Sequence, residues 1–218
     1  GVYAGLRPLV ANNKSATTTK LSREHTVDRP AAGFVSIAGG KYTTYRVMAK
    51  DVVDRAVIEL RRLTQESVTE KLPLIGADGY FALEQQKERI AQESGLDVET
   101  VTHLLNRHGS LISEILEIIE EQPKLATKLD ADLPYIKAEI VYATSHEGAR
   151  SVDDVISRRT RLSFEAVNHG VHLADEVAAL IAPVLGWSAK ERKESIAQYV
   201  ELVEREIAAL DELLEVNS

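Results

Sequence analysis

The stretch Phe34-Val35-Ser36-Ile37-Ala38-Gly39-Gly40-Lys41-Tyr42-Thr43-Thr44-Tyr45-Arg46 changes its period at the two glycines. Phe34 to Ala38 is a short apolar run of strand length that ends directly on Gly39-Gly40. From Thr43 onward Tyr45, Met48, Val52, Ala56, Ile58 and Leu60 recur at helical intervals, with Asp51, Asp54, Arg55, Arg61 and Arg62 on the other side. That spacing predicts one amphipathic helix from Thr43 to about Leu63. Strand-like runs precede this stretch and helical ones follow it. The chain is therefore expected to be mainly α: a compact helical C-terminal domain, preceded by the incomplete α/β end (strands plus one helix) of another domain.

Outward toward the N-terminus, Gly1 to Leu9 is small and apolar but broken by Arg7-Pro8, and Asn12 to Lys20 reads as a polar loop. Leu21 to Asp28 has strand length yet carries Arg23, Glu24 and His25, and Arg29 to Gly33 reads as a turn. Toward the C-terminus, Leu72-Pro73-Leu74-Ile75-Gly76 is a linker and Gly79 a second breaker. They divide the chain into residues 1–64 and a helical domain, residues 72–218. Helices are expected over Phe81–Glu93, Asp97–Arg107, Ser110–Glu121, Pro134–Tyr142, Phe164–Leu185 and Lys190–Val216. Ser151-Val152-Asp153-Asp154 and Ser188-Ala189-Lys190-Glu191 have capping-box spacing. Short helices joined by brief loops make a bundle.

The 218 residues are 44% hydrophobic and 28% charged, with no apolar run long enough to span a bilayer. The absence of Cys excludes disulfides, thiolate metal sites and a Cys nucleophile. No secretory signal pattern opens the chain. It starts on Gly1 and its single Met is Met48, which predicts a piece of a longer protein. The net charge of −8 conceals an asymmetry: residues 1–50 hold eight Lys/Arg against two acids, and the remainder holds 18 against 32. An anion is therefore expected near the N-terminal part, beside a solvated acidic body.

Gly39-Gly40-Lys41 between strand and helix is the strongest local signal. Two glycines allow close approach of the backbone, and the helix start offers free N–H groups beside a mobile cation. This suits an anion or an electron-rich cofactor edge; the plain alternative is an ordinary turn with a surface Lys. Arg7, in an apolar stretch, suits a phosphate or carboxylate ligand, or equally a structural ion pair. His169 and His172 share a face but lack a converging third ligand, so no metal is expected. His103 and His108 read as caps near a helix end. The basic run Arg158-Arg159-Thr160-Arg161 is too short, and aromatics too sparse, for nucleic acid, and reads as internal ion pairing. Neither a P-loop nor a GxGxxG string is present.

Ala4-Gly5-Leu6-Arg7-Pro8-Leu9, Leu21-Ser22-Arg23-Glu24-His25 and Gly39-Gly40-Lys41-Tyr42-Thr43-Thr44-Tyr45-Arg46 resemble the C-terminal part of FAD-dependent, respiratory glycerol-3-phosphate dehydrogenases. Glu139-Ile140-Val141-Tyr142-Ala143 and Asp154-Val155-Ile156-Ser157-Arg158-Arg159-Thr160-Arg161 resemble that family's appended helical domain. The resemblance implies an enzyme that oxidises sn-glycerol 3-phosphate to dihydroxyacetone phosphate, with electrons passing through FAD to a quinone. It further implies that Arg7 binds the substrate phosphate with Arg23 close by in the same pocket, and that Lys41 is catalytic, sitting by the flavin and the reacting carbon and stabilising developing negative charge. Gly39, Gly40, Tyr42 and Thr43 would set backbone amides against the flavin ring. A cytoplasmic place at the inner face of the cell membrane is implied for the whole enzyme, and a homodimer is left open. The family's GxGxxG segment and its upstream catalytic histidine have no match here, so residues 1–218 alone are expected to be inactive. An oxygen-using glycerol-3-phosphate oxidase and a non-enzymatic helical interaction module are the alternatives.

Overall fold

The computed structural model describes residues 24–60 and 64–216; of residues 59 and 210–216 it describes the backbone. The chain divides into two compact units, one ending at Pro73 and the other running from Leu74.

In the first unit, β1 (Thr26–Ala31) and β2 (Phe34–Ala38) form an antiparallel pair, with Thr26 opposite Ala38 and Ala31 opposite Phe34. The strand foreseen at Leu21–Asp28 lies later than expected and takes in part of the expected turn. Pro30 is tolerated because the ladder is irregular between Asp28 and Ala31, where a missing N–H costs no regular bond. A 3-10 turn, Tyr42–Thr44, leads into α1 (Tyr45–Leu60). Met48, Val52 and Ala56 are half-buried along its inner stripe.

The second unit carries α2 (Tyr80–Glu84), α3 (Lys87–Ser94), α4 (Val98–His108), α5 (Ile112–Glu121), α6 (Lys137–Ser145), α7 (Leu162–Glu165), α8 (Ala174–Leu185) and α9 (Ala189–Val216). The fold is mainly α, as the periodicity indicates. α6 is its centre: Ala138 and Tyr142 join a core with Val101, Leu104, Ile112 and Ile115, while Ile140 and Ala143 join another with Val155, Val177, Ile181 and Tyr199. A helix sandwiched between two cores must be apolar nearly all round. No described helix is long and apolar enough to cross a membrane.

Four expected helices differ. Phe81–Glu93 is broken at Gln86, whose backbone is non-helical. Ser110 is not a simple cap: it lies in a 3-10 turn, Gly109–Leu111, and its N–H donates to Gly76 O at 2.8 Å. A Cβ on Gly109 would lie 1.9 Å from that same oxygen, so only glycine lets the two backbones cross. Phe164–Leu185 is interrupted by left-handed Asn168, His169 and Gly170, and the Tyr199 hydroxyl holds the kink by donating to His169 O at 2.5 Å. Pro134 precedes its helix instead of opening it.

Of the two capping boxes, Ser151–Asp154 forms by half: Asp154 N donates to Ser151 Oγ at 3.0 Å, while the Asp154 carboxylate accepts from Arg150 N at 3.0 Å. Ser188 and Glu191 exchange the reciprocal bonds of a capping box, at 2.7 and 3.3 Å. Asp97 caps α4, its carboxylate accepting from Thr100 N at 2.6 Å and Thr100 Oγ1 at 3.0 Å. Those bonds hold its carboxyl below the usual carboxylate range. Asp97→Ala is expected to cost about 1 kcal/mol, measured by urea unfolding at pH 7. The loss shrinks as pH falls below 3.8, the ordinary carboxyl value, and Asp97 itself protonates.

Candidate functional site

The β2-to-α1 turn places the predicted residues as follows. Gly39 and Gly40 are both left-handed, at φ +78 and +86. A Cβ on Gly40 would sit 2.5 Å from Met48 Sδ and 3.2 Å from His25 Cβ. The turn is thus pressed onto α1 and the start of β1, and any side chain there collides with its floor. Lys41 is exposed. Its N–H donates to Thr44 Oγ1 at 3.3 Å, and its carbonyl accepts from Thr44 N and Thr44 Oγ1, both at 3.0 Å. Tyr42 is 91% exposed, and its ring lies 6.2 Å from that of Tyr45. The Tyr42 and Thr43 amides, at the start of the helical run, have no intrahelical partner. Together the turn offers a cation and helix-start amides beside two glycines that carry no side chain of their own. Arg7 and Arg23 lie outside the described residues.

Gly40→Ala combines a left-handed strain with the Met48 collision. It is expected to cost the first unit about 1–3 kcal/mol. Hydrogen exchange would show faster amides over residues 36–48 and unchanged ones over α4–α6.

His25 closes the family-like string Leu21–His25, and the resemblance implies no role for it. Its Nε2 lies 2.7 Å from Asp51 Oδ2 on α1. An ionised carboxylate only accepts, so Nε2 carries the proton.

The second unit holds a buried charge cluster. The Glu139 side chain is 1% exposed. Its Oε1 lies 2.9 Å from His103 Nε2, 3.4 Å from His108 Nε2 and 3.8 Å from Arg107 Nε; its Oε2 accepts from Ile136 N at 2.9 Å. Burial opposes its ionisation, but hydrogen bonds from His103 and His108 outweigh this and hold the carboxyl below its usual range. His103 also packs edge-on against Tyr135, at 5.0 Å between ring centroids, and the Arg107 guanidinium lies over that ring at 5.7 Å. These histidines do not cap a helix. They turn inward because a buried carboxylate there needs partners.

The basic run behaves as expected in its ion pairs. Arg158 bonds Asp153 and, at 3.2 Å, Asp154, and Arg161 lies 3.5 Å from Glu165. Arg159 instead serves the backbone, donating to Glu147 O at 2.9 Å, and Arg107 donates to Arg159 O. Among the described residues no three acids or histidines are grouped to hold a metal ion. The sequence reading missed Arg107 and the centrality of Glu139. The available signal was an acid between Ala138 and Ile140 in the otherwise apolar run Ala138–Ala143.

A family model described as the C-terminal domain of alpha-glycerophosphate oxidase matches residues 67–192. The Mycobacterium tuberculosis (strain H37Rv) protein named glycerol-3-phosphate dehydrogenase 2 is 50% identical over 207 residues, which cover 95% of this chain and 35% of that protein. The Mus musculus protein named glycerol-3-phosphate dehydrogenase, mitochondrial, is 35% identical over 198 residues, covering 89% of this chain and 27% of its own. A solved structure described as glycerol-3-phosphate dehydrogenase from Bacillus halodurans complexed with FAD has the same fold. Its TM-score is 0.63 at 23% identity, over 78% of this chain and 35% of that one. The chain spans about a third of the length of the curated relatives it matches.

Proposed function

The chain belongs to the family of the alpha-glycerophosphate oxidase C-terminal domain, and from that premise we propose that it completes a flavoenzyme oxidising sn-glycerol 3-phosphate to dihydroxyacetone phosphate. The observation that carries the proposal is the Gly39-Gly40-Lys41 turn, whose glycines exclude side chains and whose cation and free amides follow at once. FAD supplies the hydride acceptor when bound. Gly39 and Gly40 would let the backbone approach its ring closely. The Tyr42 and Thr43 amides would donate toward the ring edge where negative charge accumulates. Lys41 would stand between that edge and the reacting carbon, and would stabilise the charge that develops in hydride transfer. Arg7 and Arg23 would hold the substrate phosphate.

The first unit also exposes apolar side chains that fit packing against further polypeptide. Phe34, Tyr45, Val53, Ile58 and Leu60 are each more than half exposed. Gly33, Val35, Val52, Val53, Ala56 and Leu60 line an open groove of about 320 Å³. The FAD domain of the full enzyme is the occupant this reading assigns. It favours an enzyme part over a free-standing interaction module, which would bury such side chains itself.

For the electron acceptor we take a quinone, with the enzyme peripheral to the inner face of the cell membrane; the oxidase reading takes oxygen. A chimera decides the acceptor: the Mycobacterium tuberculosis relative with its matching stretch replaced by this chain. Dihydroxyacetone phosphate should form from glycerol 3-phosphate with a soluble quinone analogue, and not with oxygen alone. Turnover with oxygen only would establish the oxidase alternative. Failure with both acceptors in a FAD-loaded chimera would refute the activity.

A further inference from the structure

We infer that His25 and Asp51 form a positioning pair that fixes the Gly39-Gly40 turn and, through it, the place of Lys41. The inference rests on the reading of Lys41 as a flavin-edge cation, but its geometry stands apart from that reading.

Among the described residues of the first unit, these two consecutive left-handed glycines are the least self-determined backbone. After the turn, Lys41 is held by its three hydrogen bonds with Thr44. Before it, neither glycine has a side chain with which to hold itself. The turn must be fixed from beneath, and among the described residues Met48 and His25 lie there. Met48 Sδ and His25 Cβ stand 2.5 and 3.2 Å from the position a Gly40 Cβ would take. Met48 is unbranched and adaptable, a poor determinant of shape by itself. His25 is the rigid part. Its ring is tethered at 2.7 Å to Asp51, which lies three residues after Met48 and hence on the same face of α1. One bond therefore ties the start of β1 to α1 directly under the turn.

The His25 side chain is 19% exposed and that of Asp51 41%, so the bond is partly shielded from water. A surface pair would contribute little, whereas a half-buried hydrogen bond to a carboxylate keeps most of its value. Without it the floor under Gly40 is free to move, and the Lys41 ammonium, at the end of a flexible stem, moves with its backbone. Such displacement lowers the rate without removing any group that touches substrate.

The first arm of the test uses the 218-residue chain. Exchange of the Thr44 amide, the donor to Lys41 O, should rise about tenfold in His25→Ala and in Asp51→Ala, the worth of one hydrogen bond. It should stay near wild type in His25→Gln, whose amide can still donate to Asp51. The second arm uses the FAD-loaded chimera under anaerobic stopped flow. His25→Ala should slow flavin reduction roughly ten- to a hundredfold at saturating glycerol 3-phosphate, with FAD content and substrate affinity retained. In a Lys41→Met background the same change should have no further effect, since His25 acts through Lys41.

Unchanged Thr44 exchange in both alanine variants would overturn the inference. So would an equal, additive slowing in the Lys41→Met background, which would assign His25 a general structural role. A wild-type chimera that glycerol 3-phosphate does not reduce would overturn the proposed activity instead. The exchange arm would then decide the positioning pair alone.

Discussion

Glu139→Ala is expected to destabilise the helical unit by about 3–5 kcal/mol, the cost of breaking a buried ionic cluster by removing one partner. The carboxylate is 1% exposed and meets His103, Arg107, His108 and the Ile136 amide together. Its removal takes from the guanidinium and the two imidazoles the carboxylate they share, and leaves Glu147, 3.7 Å from His108 Nδ1, at the edge of the cluster. Arg107 Nε already lacks a hydrogen-bond partner, so the cluster has no slack. Glu139→Gln should cost less, because an amide keeps the shape and can still accept from Ile136 N. Thermal and urea unfolding of the 218-residue chain would measure both.

The pH dependence identifies the charge as the cause. The folded pKa of Glu139 lies below its ordinary 4.5, so the contribution of its ionisation is fully present above pH 4.5. It is lost as pH falls through the lower folded value. Wild type and Glu139→Gln should therefore converge in stability on acidification below 4.5. A gap that stays constant down to pH 3 would mean that packing, not charge, makes the difference.

Lys41→Met should slow flavin reduction in the chimera by about 10²–10³-fold, the size seen when one preorganised donor to a developing charge is removed. Methionine keeps the unbranched stem and removes only the ammonium. Lys41 is exposed, and the two bonds to its carbonyl and the one from its N–H are all made by its backbone. Folding stability and FAD content should accordingly be unchanged. A tenfold or smaller effect would assign Lys41 to binding, not to the chemical step.

How far these features could be read from the sequence depends on the range over which their causes act. The change of period at Gly39-Gly40 is local and reads directly as strand, turn and helix. Ser188 with Glu191, and Asp97 with Thr100, are three-residue relations, equally visible. The break at Asn168–Gly170 was not, because its stabilising bond comes from Tyr199, 30 residues later. The irregular ladder that admits Pro30 depends on its partner strand in the same way. At the candidate site, the glycines and Lys41 were legible as a motif. The His25–Asp51 bond spans 26 residues, and spacing carries no trace of it. His103 and His108 illustrate the same limit: position near a helix end suggested caps, while Glu139, 36 and 31 residues away, determines where they point.

The most direct test of the central claim is an anaerobic titration of the FAD-loaded chimera with glycerol 3-phosphate, followed by flavin absorbance. The account predicts that glycerol 3-phosphate bleaches the oxidised flavin band within the mixing time of a manual experiment, and that glycerol, lacking the phosphate, does not. A stoichiometrically loaded flavin that stays oxidised in excess glycerol 3-phosphate would contradict it.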